Sequence, residues 1–179
     1  MKGIVETERL YLRAFVPEDA EMIYRLNGDP NVMRYMPDHA KANVSRESAE
    51  RMVERSMSYY KAHPGLGIWP ACLREDDACI GWTCLKHLDD TDEIELGYRF
   101  FPEHWGKGLA TEISEEVVRY GFEDLGLRRI VGITHPENTA SRRVLEKIGF
   151  RYERDAHHYG IDVAYYVLES TGNASERGE

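Results

Sequence analysis

The residues best placed to do chemistry are Trp105-Gly106-Lys107-Gly108-Leu109-Ala110-Thr111, between a strand-like run at 93–100 and a helix-like run at 109–125. A glycine-rich turn that opens a helix aims several backbone N–H groups at one point, where the helix dipole also favours negative charge. Glycine matters there because a side chain would hold a phosphate away from the backbone. Lys107 adds a cation that either meets a phosphate or stays in solvent. The turn alone also reads as a plain tight connection. A second block strengthens the ligand reading: Asn138-Thr139-Ala140-Ser141-Arg142-Arg143-Val144-Leu145-Glu146-Lys147-Ile148-Gly149-Phe150. A nucleotide hydrolase fits poorly, because Gly106-Lys107-Gly108 is not G-x-x-x-x-G-K-[ST] and no Mg²⁺ ligand follows.

These two blocks resemble the GNAT superfamily of acyl-CoA-dependent N-acyltransferases, and within it the branch containing the ribosomal-protein N-terminal acetyltransferases. The resemblance takes in Thr7-Glu8-Arg9-Leu10-Tyr11-Leu12-Arg13, Asp29-Pro30-Asn31-Val32-Met33-Arg34-Tyr35 and Cys79-Ile80-Gly81, and ends near Asp162-Val163. It implies acetyl-CoA as cosubstrate, a primary amine as acceptor (a protein N-terminus or a small molecule), and a mixed α+β fold. The expected sheet is twisted and mostly antiparallel, with about seven strands, helices on both faces and one splayed parallel pair. A homodimer is compatible with it.

Acetyl transfer from a thioester to an amine requires a held pyrophosphate, an aimed pantetheine arm, a stabilised oxyanion and two proton movements. The loop Gly106, Lys107, Gly108, Leu109, Ala110 and Thr111 offers consecutive N–H donors. The family pattern opens this motif with Gln or Arg and closes it with Gly, where this chain has Trp105 and Ala110; a side-chain contact is lost, but the backbone donors are not. The resemblance pairs the pantetheine amides with the strand edge at Tyr98, Arg99 and Phe100, and gives Asn138 to the cofactor arm or the strand end. Gly97 reads either as a distortion in that strand or as close packing against a helix. A freed N–H near Leu96 or Gly97 is the candidate oxyanion donor.

Many family members carry a Tyr that protonates the departing sulfur. This chain has Leu145 at the matching position, and Ser141 becomes the candidate acid, as in the ribosomal branch. Ser141 also reads as an ordinary helix-start residue. The loss of the Tyr keeps a second reading open, a catalytically silent acyl-CoA-binding module. Arg142 and Arg143 either approach the phosphates or stay solvated. Glu95 is the first candidate for the base that takes the amine proton, with His135, His157 and His158 as rivals because imidazole titrates near neutrality. An α-amine of pKa ~7.7–8.0 is roughly a tenth neutral at pH 7, whereas lysine at ~10.4 is neutral to about one part in 2,500, so weak evidence for a base suits an α-amine or a weakly basic amine. The acceptor is expected against residues 24–36, Tyr59-Tyr60 and residues 157–159.

The 179 residues suit a single domain, taken as 1–169, with a polar tail at 170–179 that reads as disordered. A hydrophobic fraction of 42% and a charged fraction of 31% are those of a globular chain. No apolar run approaches the ~18–20 residues of a membrane span, and no signal-peptide pattern is present, which predicts a cytoplasmic protein with no membrane partner. A net charge of −9 argues against a nucleic-acid surface and mildly favours a cationic amine. Cys72, Cys79 and Cys84 lack metal-site spacing and read as reduced, buried hydrophobes; no H-E-x-x-H occurs, and no metal is expected.

The elements that must position these groups follow from periodicity. Strands are predicted at 9–15, 69–75, 78–85, 93–100 and 128–134, with two more after Phe150. Helices are predicted from Pro17 to Gly28, from a Ser45 cap to about Ala62, at 109–125 and at 138–148, with a short one at 31–35. A helix links the strands at 93–100 and 128–134, so these two should run parallel.

Overall fold

The computed structural model describes residues 3–171; most of the predicted tail, 172–179, lies outside the described residues. The chain forms strands β1 (Val5–Glu6), β2 (Leu10–Leu12), β3 (Gly67–Leu73), β4 (Cys79–His87), β5 (Ile94–Phe100), β6 (Arg129–Thr134), β7 (Arg151–His158) and β8 (Ile161–Glu169). Its helices are α1 (Ala20–Gly28), α2 (Asp38–Ala42), α3 (Arg46–Ala62), α4 (Leu109–Glu123) and α5 (Thr139–Lys147). The strands make one eight-stranded sheet in the order β1-β2-β3-β4-β5-β6-β8-β7. Every neighbouring pair is antiparallel except β5 and β6, which α4 connects in parallel.

Alternation along β5 sorts the two faces. Ile94, Leu96 and Phe100 join the main core with Leu109, Ile113 and Val117 of α4 and Leu145 of α5. The opposite face carries Glu95, Gly97 and Arg99; over this part of the sheet lie α1 and α3, whose Ile23, Ala49 and Val53 form a second core with Phe15. α3 begins where expected: Ser45 Oγ accepts from the Ser48 N–H at 3.0 Å, and the Ser45 N–H donates back to Ser48 Oγ at 3.0 Å.

Three expectations need correction. Residues 31–35 are turns, not a helix. Asp29 Oδ1 accepts from the N–H groups of Asn31 at 2.8 Å and Val32 at 3.3 Å, an Asx arrangement that competes with helix, and Pro37 closes the segment. Cys72 and Cys79 are not reduced. They are register partners across a β-bulge between β3 and β4 and form a disulfide, while Cys84 stays free and buried. Gly97 stands beyond the last β5–β6 pairing, at Glu95, while the β4–β5 ladder runs through it without a register shift, and its close packing is against β4 rather than a helix. A Cβ there would stand 3.0 Å from Cys84 Sγ, so the glycine serves a close approach between strands.

Candidate active site

The glycine turn opens α4 as its sequence requires. Gly108 is the helix N-cap with φ 77°, and Gly106 has φ 71°, both in the left-handed region that favours glycine. A Cβ added to Gly106 would meet nothing within 4 Å, so the backbone there faces open space that a phosphate can enter. Lys107 is exposed, whereas the Leu109 side chain is buried in the core and leaves only its backbone to a ligand. The Trp105 indole N–H donates to the Phe100 carbonyl at 2.8 Å, tying the turn to the end of β5.

A second tie comes from the far end of the sequence. Arg9 Nη1 donates to the Lys107 carbonyl at 3.0 Å while Arg9 Nε donates to Glu112 Oε2 at 2.6 Å. Glu112 Oε1 accepts from Thr7 Oγ1 at 2.6 Å and from the Arg9 N–H at 2.9 Å. Burial raises the Glu112 pKa, but the hydrogen bonds from Thr7 and Arg9 and the Arg9 charge outweigh it and hold the carboxyl below its usual range.

Beyond the turn, β5 and β6 part. β4 and β5 share seven paired positions, but β5 and β6 share one, Glu95 with Val131. From Leu96 onward the β6 side of β5 has no strand partner. Asn138 caps α5 through Oδ1, which accepts from the Ser141 N–H at 3.2 Å. That places Ser141 Oγ 3.2 Å from the Tyr98 hydroxyl. Burial pushes Tyr98 up to about 12, against a small opposite effect of Ser141, so its hydroxyl keeps its proton near neutrality. Leu145 is core: it is 2% exposed, and a Cβ on Gly132 would stand 2.7 Å from its Cδ2. Arg142 is half-exposed and donates to the Tyr166 hydroxyl at 2.8 Å and to the Pro136 carbonyl at 3.3 Å; Arg143 is exposed.

Glu95 sits where the two strands separate and is 6% exposed. Its Oε1 pairs with Lys86 Nζ and accepts from the Tyr159 hydroxyl at 2.6 Å. Lys86 Nζ also donates to the Tyr159 hydroxyl at 2.7 Å. Burial lowers the Lys86 pKa, but the surrounding acidic groups, Cys84, Glu95 and Tyr159, more than offset it and keep the ammonium above its ordinary value. Oε2 makes no hydrogen bond among the described residues. The rival bases each have partners of their own. His135 stacks on Tyr35 with ring centroids 5.2 Å apart, and its Nδ1 accepts from the Glu137 N–H at 3.2 Å. The exposed His157 pairs with Asp162 at 2.9 Å, and His158 lies 3.9 Å from Asp89.

The sequence of residues 9–151 matches the profile of the acetyltransferase (GNAT) domain. The chain belongs to the GNAT acetyltransferase family. It is 37% identical over 158 residues to the uncharacterized N-acetyltransferase YoaA of Bacillus subtilis, covering 86% of this chain and 85% of that one. A solved GNAT-family acetyltransferase from Bacillus anthracis superposes with a TM-score of 0.77 at 29% identity, covering 92% of this chain and 97% of that one. RimJ of Mycobacterium smegmatis, solved with a coenzyme A disulfide, shares the fold with a TM-score of 0.74 at 21% identity, over 90% of this chain and 82% of that one. In this GNAT chain β5 links the sequence motifs: Tyr98 meets Ser141 at the start of α5, and the Phe100 carbonyl accepts from Trp105 just before the turn at 106–108. Sequence reasoning missed the Tyr98 hydroxyl, the Lys86 and Tyr159 partners of Glu95, and the Arg9–Glu112 tie. Only Arg9 left a trace, in the Thr7–Arg13 block.

Proposed function

We propose that this chain transfers acetyl from acetyl-CoA to a primary amine, a protein N-terminus or a small molecule, by direct attack on the thioester. The observation that carries the reading is the parting of β5 from β6 after Glu95, next to a left-handed glycine turn at the head of α4. The N–H groups from Gly106 to Thr111, with Lys107, hold the pyrophosphate, and the unpaired edge at Tyr98, Arg99 and Phe100 holds the pantetheine amides. Acetyl-CoA supplies an activated thioester there. The N–H of Leu96 or Gly97 donates to the acyl oxygen, Glu95 takes the amine proton through Oε2 or a water, and Ser141, backed by the Tyr98 hydroxyl and placed by Asn138, gives a proton to the sulfur.

A silent acyl-CoA-binding module rests only on Leu145 standing in place of a tyrosine. The Tyr98–Ser141 hydroxyl pair supports the enzyme reading, since a binding module has no use for a proton donor there. The reading extends to a cytoplasmic protein. No helix among the described residues is long and apolar enough to cross a membrane. The Cys72–Cys79 bridge is the feature at odds with that location, and thiol titration of protein prepared without reductant tests it. Released thiol, followed with acetyl-CoA and a panel of amines and peptides, tests the activity. Amine-dependent release is expected; tight acetyl-CoA binding without release on any amine would favour the silent module.

A further inference from the structure

Arg99 follows Tyr98, so its side chain leaves β5 on the other face, away from α4 and the glycine turn. There its Nη1 donates to Asn27 Oδ1 at 2.7 Å and lies 3.7 Å from Met33 Sδ, while Nη2 lies 3.1 Å from Met36 Sδ. The guanidinium stands over the Trp82 ring, 5.1 Å from its centroid, and the Trp82 indole N–H is itself buried without a partner. None of these groups is anionic, and among the described residues no carboxylate pairs with Arg99. Thioethers are weak acceptors, and an aromatic face offsets only part of a buried cation's lost hydration. Burial draws Arg99 down to about 10, which still leaves it charged at neutral pH.

The contrast within the fold is direct. Arg13, whose side chain keeps 17% of its surface exposed, is matched by Asp19 at 2.7 Å. A guanidinium partly withdrawn from water is ordinarily paired, and the half-buried Arg99 is not. The phosphates of acetyl-CoA do not supply the anion, because they belong at the turn before α4 on the opposite face, and pantetheine is uncharged. The partners of Arg99 instead border open space. Asn27 and Met33 line a cavity of about 380 Å³ and Met36 lines another of about 380 Å³; Arg34 and Lys41 line both, with Asp29 in the first and Asp38, paired with Lys41 at 3.2 Å, in the second. Glu95 shares the Arg99 face of β5. Four residues at ~3.3 Å each separate their backbones by about 13 Å, a gap that the two long side chains and a small zwitterion can span together.

We propose that Arg99 sets acceptor specificity by binding a carboxylate on the amine substrate, so that the acceptors are small amino carboxylates, free amino acids or short peptides, rather than polyamines or protein N-termini. This rests on the acetyltransferase reading above. The fork of the guanidinium suits a carboxylate in two-point contact, with the amine held toward Glu95 and the acyl group.

The test compares matched acceptors at saturating acetyl-CoA: each amino acid and dipeptide against its C-terminal amide, with spermidine as a polyamine. The parent should prefer carboxylates over amides by about tenfold or more in kcat/KM, and the better of amino acid and dipeptide identifies the source. Arg99→Met should bring that ratio close to one, mainly through a KM raised by roughly tenfold or more, with Arg99→Lys between the two. Equal rates on acids and amides, spermidine as the best acceptor, or an equal loss on acids and amides in Arg99→Met would each overturn the proposal. If no amine is acetylated, the enzyme reading fails, and calorimetry of the same amino acids and amides with the protein–CoA complex decides Arg99 separately. Carboxylate-dependent binding lost in Arg99→Met supports it, and no such binding overturns it. If Arg99→Met does not fold, the acid-to-amide ratio of the parent and Arg99→Lys decides.

Discussion

The Tyr98 hydroxyl lies 3.2 Å from Ser141 Oγ, joining β5 to the first turn of α5 across the opening left by β6. Two elements 43 residues apart thus present a pair of hydroxyls at one mouth of the site. Asn138 fixes the serine by capping α5, and burial fixes the tyrosine in its neutral form.

Ser141→Ala should lower kcat by roughly ten- to a thousandfold, with little change in acetyl-CoA affinity, as expected for lost proton donation to the sulfur. Tyr98 contributes no alkaline limb to the rate profile below about pH 10, because its raised value of about 12 keeps it protonated there. Single-turnover kinetics across pH 6–10 checks both statements, and an unchanged chemical step in Ser141→Ala would remove the serine from the mechanism.

Glu95→Gln should depress turnover most at low pH, where the amine is mostly protonated, and the deficit should narrow as pH rises from 6 to 9. A constant deficit would instead mean that Glu95 positions the amine, and His157 or His158 would be the next base to test. The variant also leaves Lys86, 21% exposed at its side chain, without its carboxylate. That should cost about 2 kcal/mol and lower Tm by about 4–8 °C, a partly exposed pair being worth less than a fully buried one. Thermal denaturation run beside the kinetics separates the two effects.

Much of this site was legible because its signals are local. The glycine turn, the Ser45 cap and the apolar spacing of α4 each occupy a few adjacent residues, and each forms where the sequence puts it. The parallel pair followed from one connecting helix. What stayed hidden depends on register between distant strands. Tyr159 reaches Glu95 across 64 positions of sequence, and no pattern near either residue announces it. Cys72 and Cys79 meet because a bulge aligns them, a feature that composition and cysteine parity do not carry. Residues 31–35 look helical by spacing, yet Asp29 takes their backbone donors first.

Glu112→Gln should loosen the turn at 106–108 without touching a ligand. Acetyl-CoA Kd should rise several-fold to about tenfold while kcat at saturation changes little, since the lost hydrogen bonds are charge-assisted ones that hold the loop. The pH dependence has a fixed sign. The Glu112 carboxyl is depressed in the folded chain, so its contribution is present above the unfolded value of ~4.3 and is lost as pH falls through the lower folded value. Acetyl-CoA binding by the parent and Glu112→Gln proteins should therefore converge in acid and differ at neutrality, as titration calorimetry reads.

The most direct measurement of the account is backbone amide exchange, followed by mass spectrometry, with and without saturating acetyl-CoA. In the proposed mechanism the cofactor lies on unpaired backbone along β5 and at the head of α4. Acetyl-CoA should therefore slow exchange in peptides covering residues 96–100 and 106–111, while β7, at the far edge of the sheet, stays as it is. Slowed exchange elsewhere with these two segments unchanged would contradict the account and remove the opening between β5 and β6 as the seat of the chemistry.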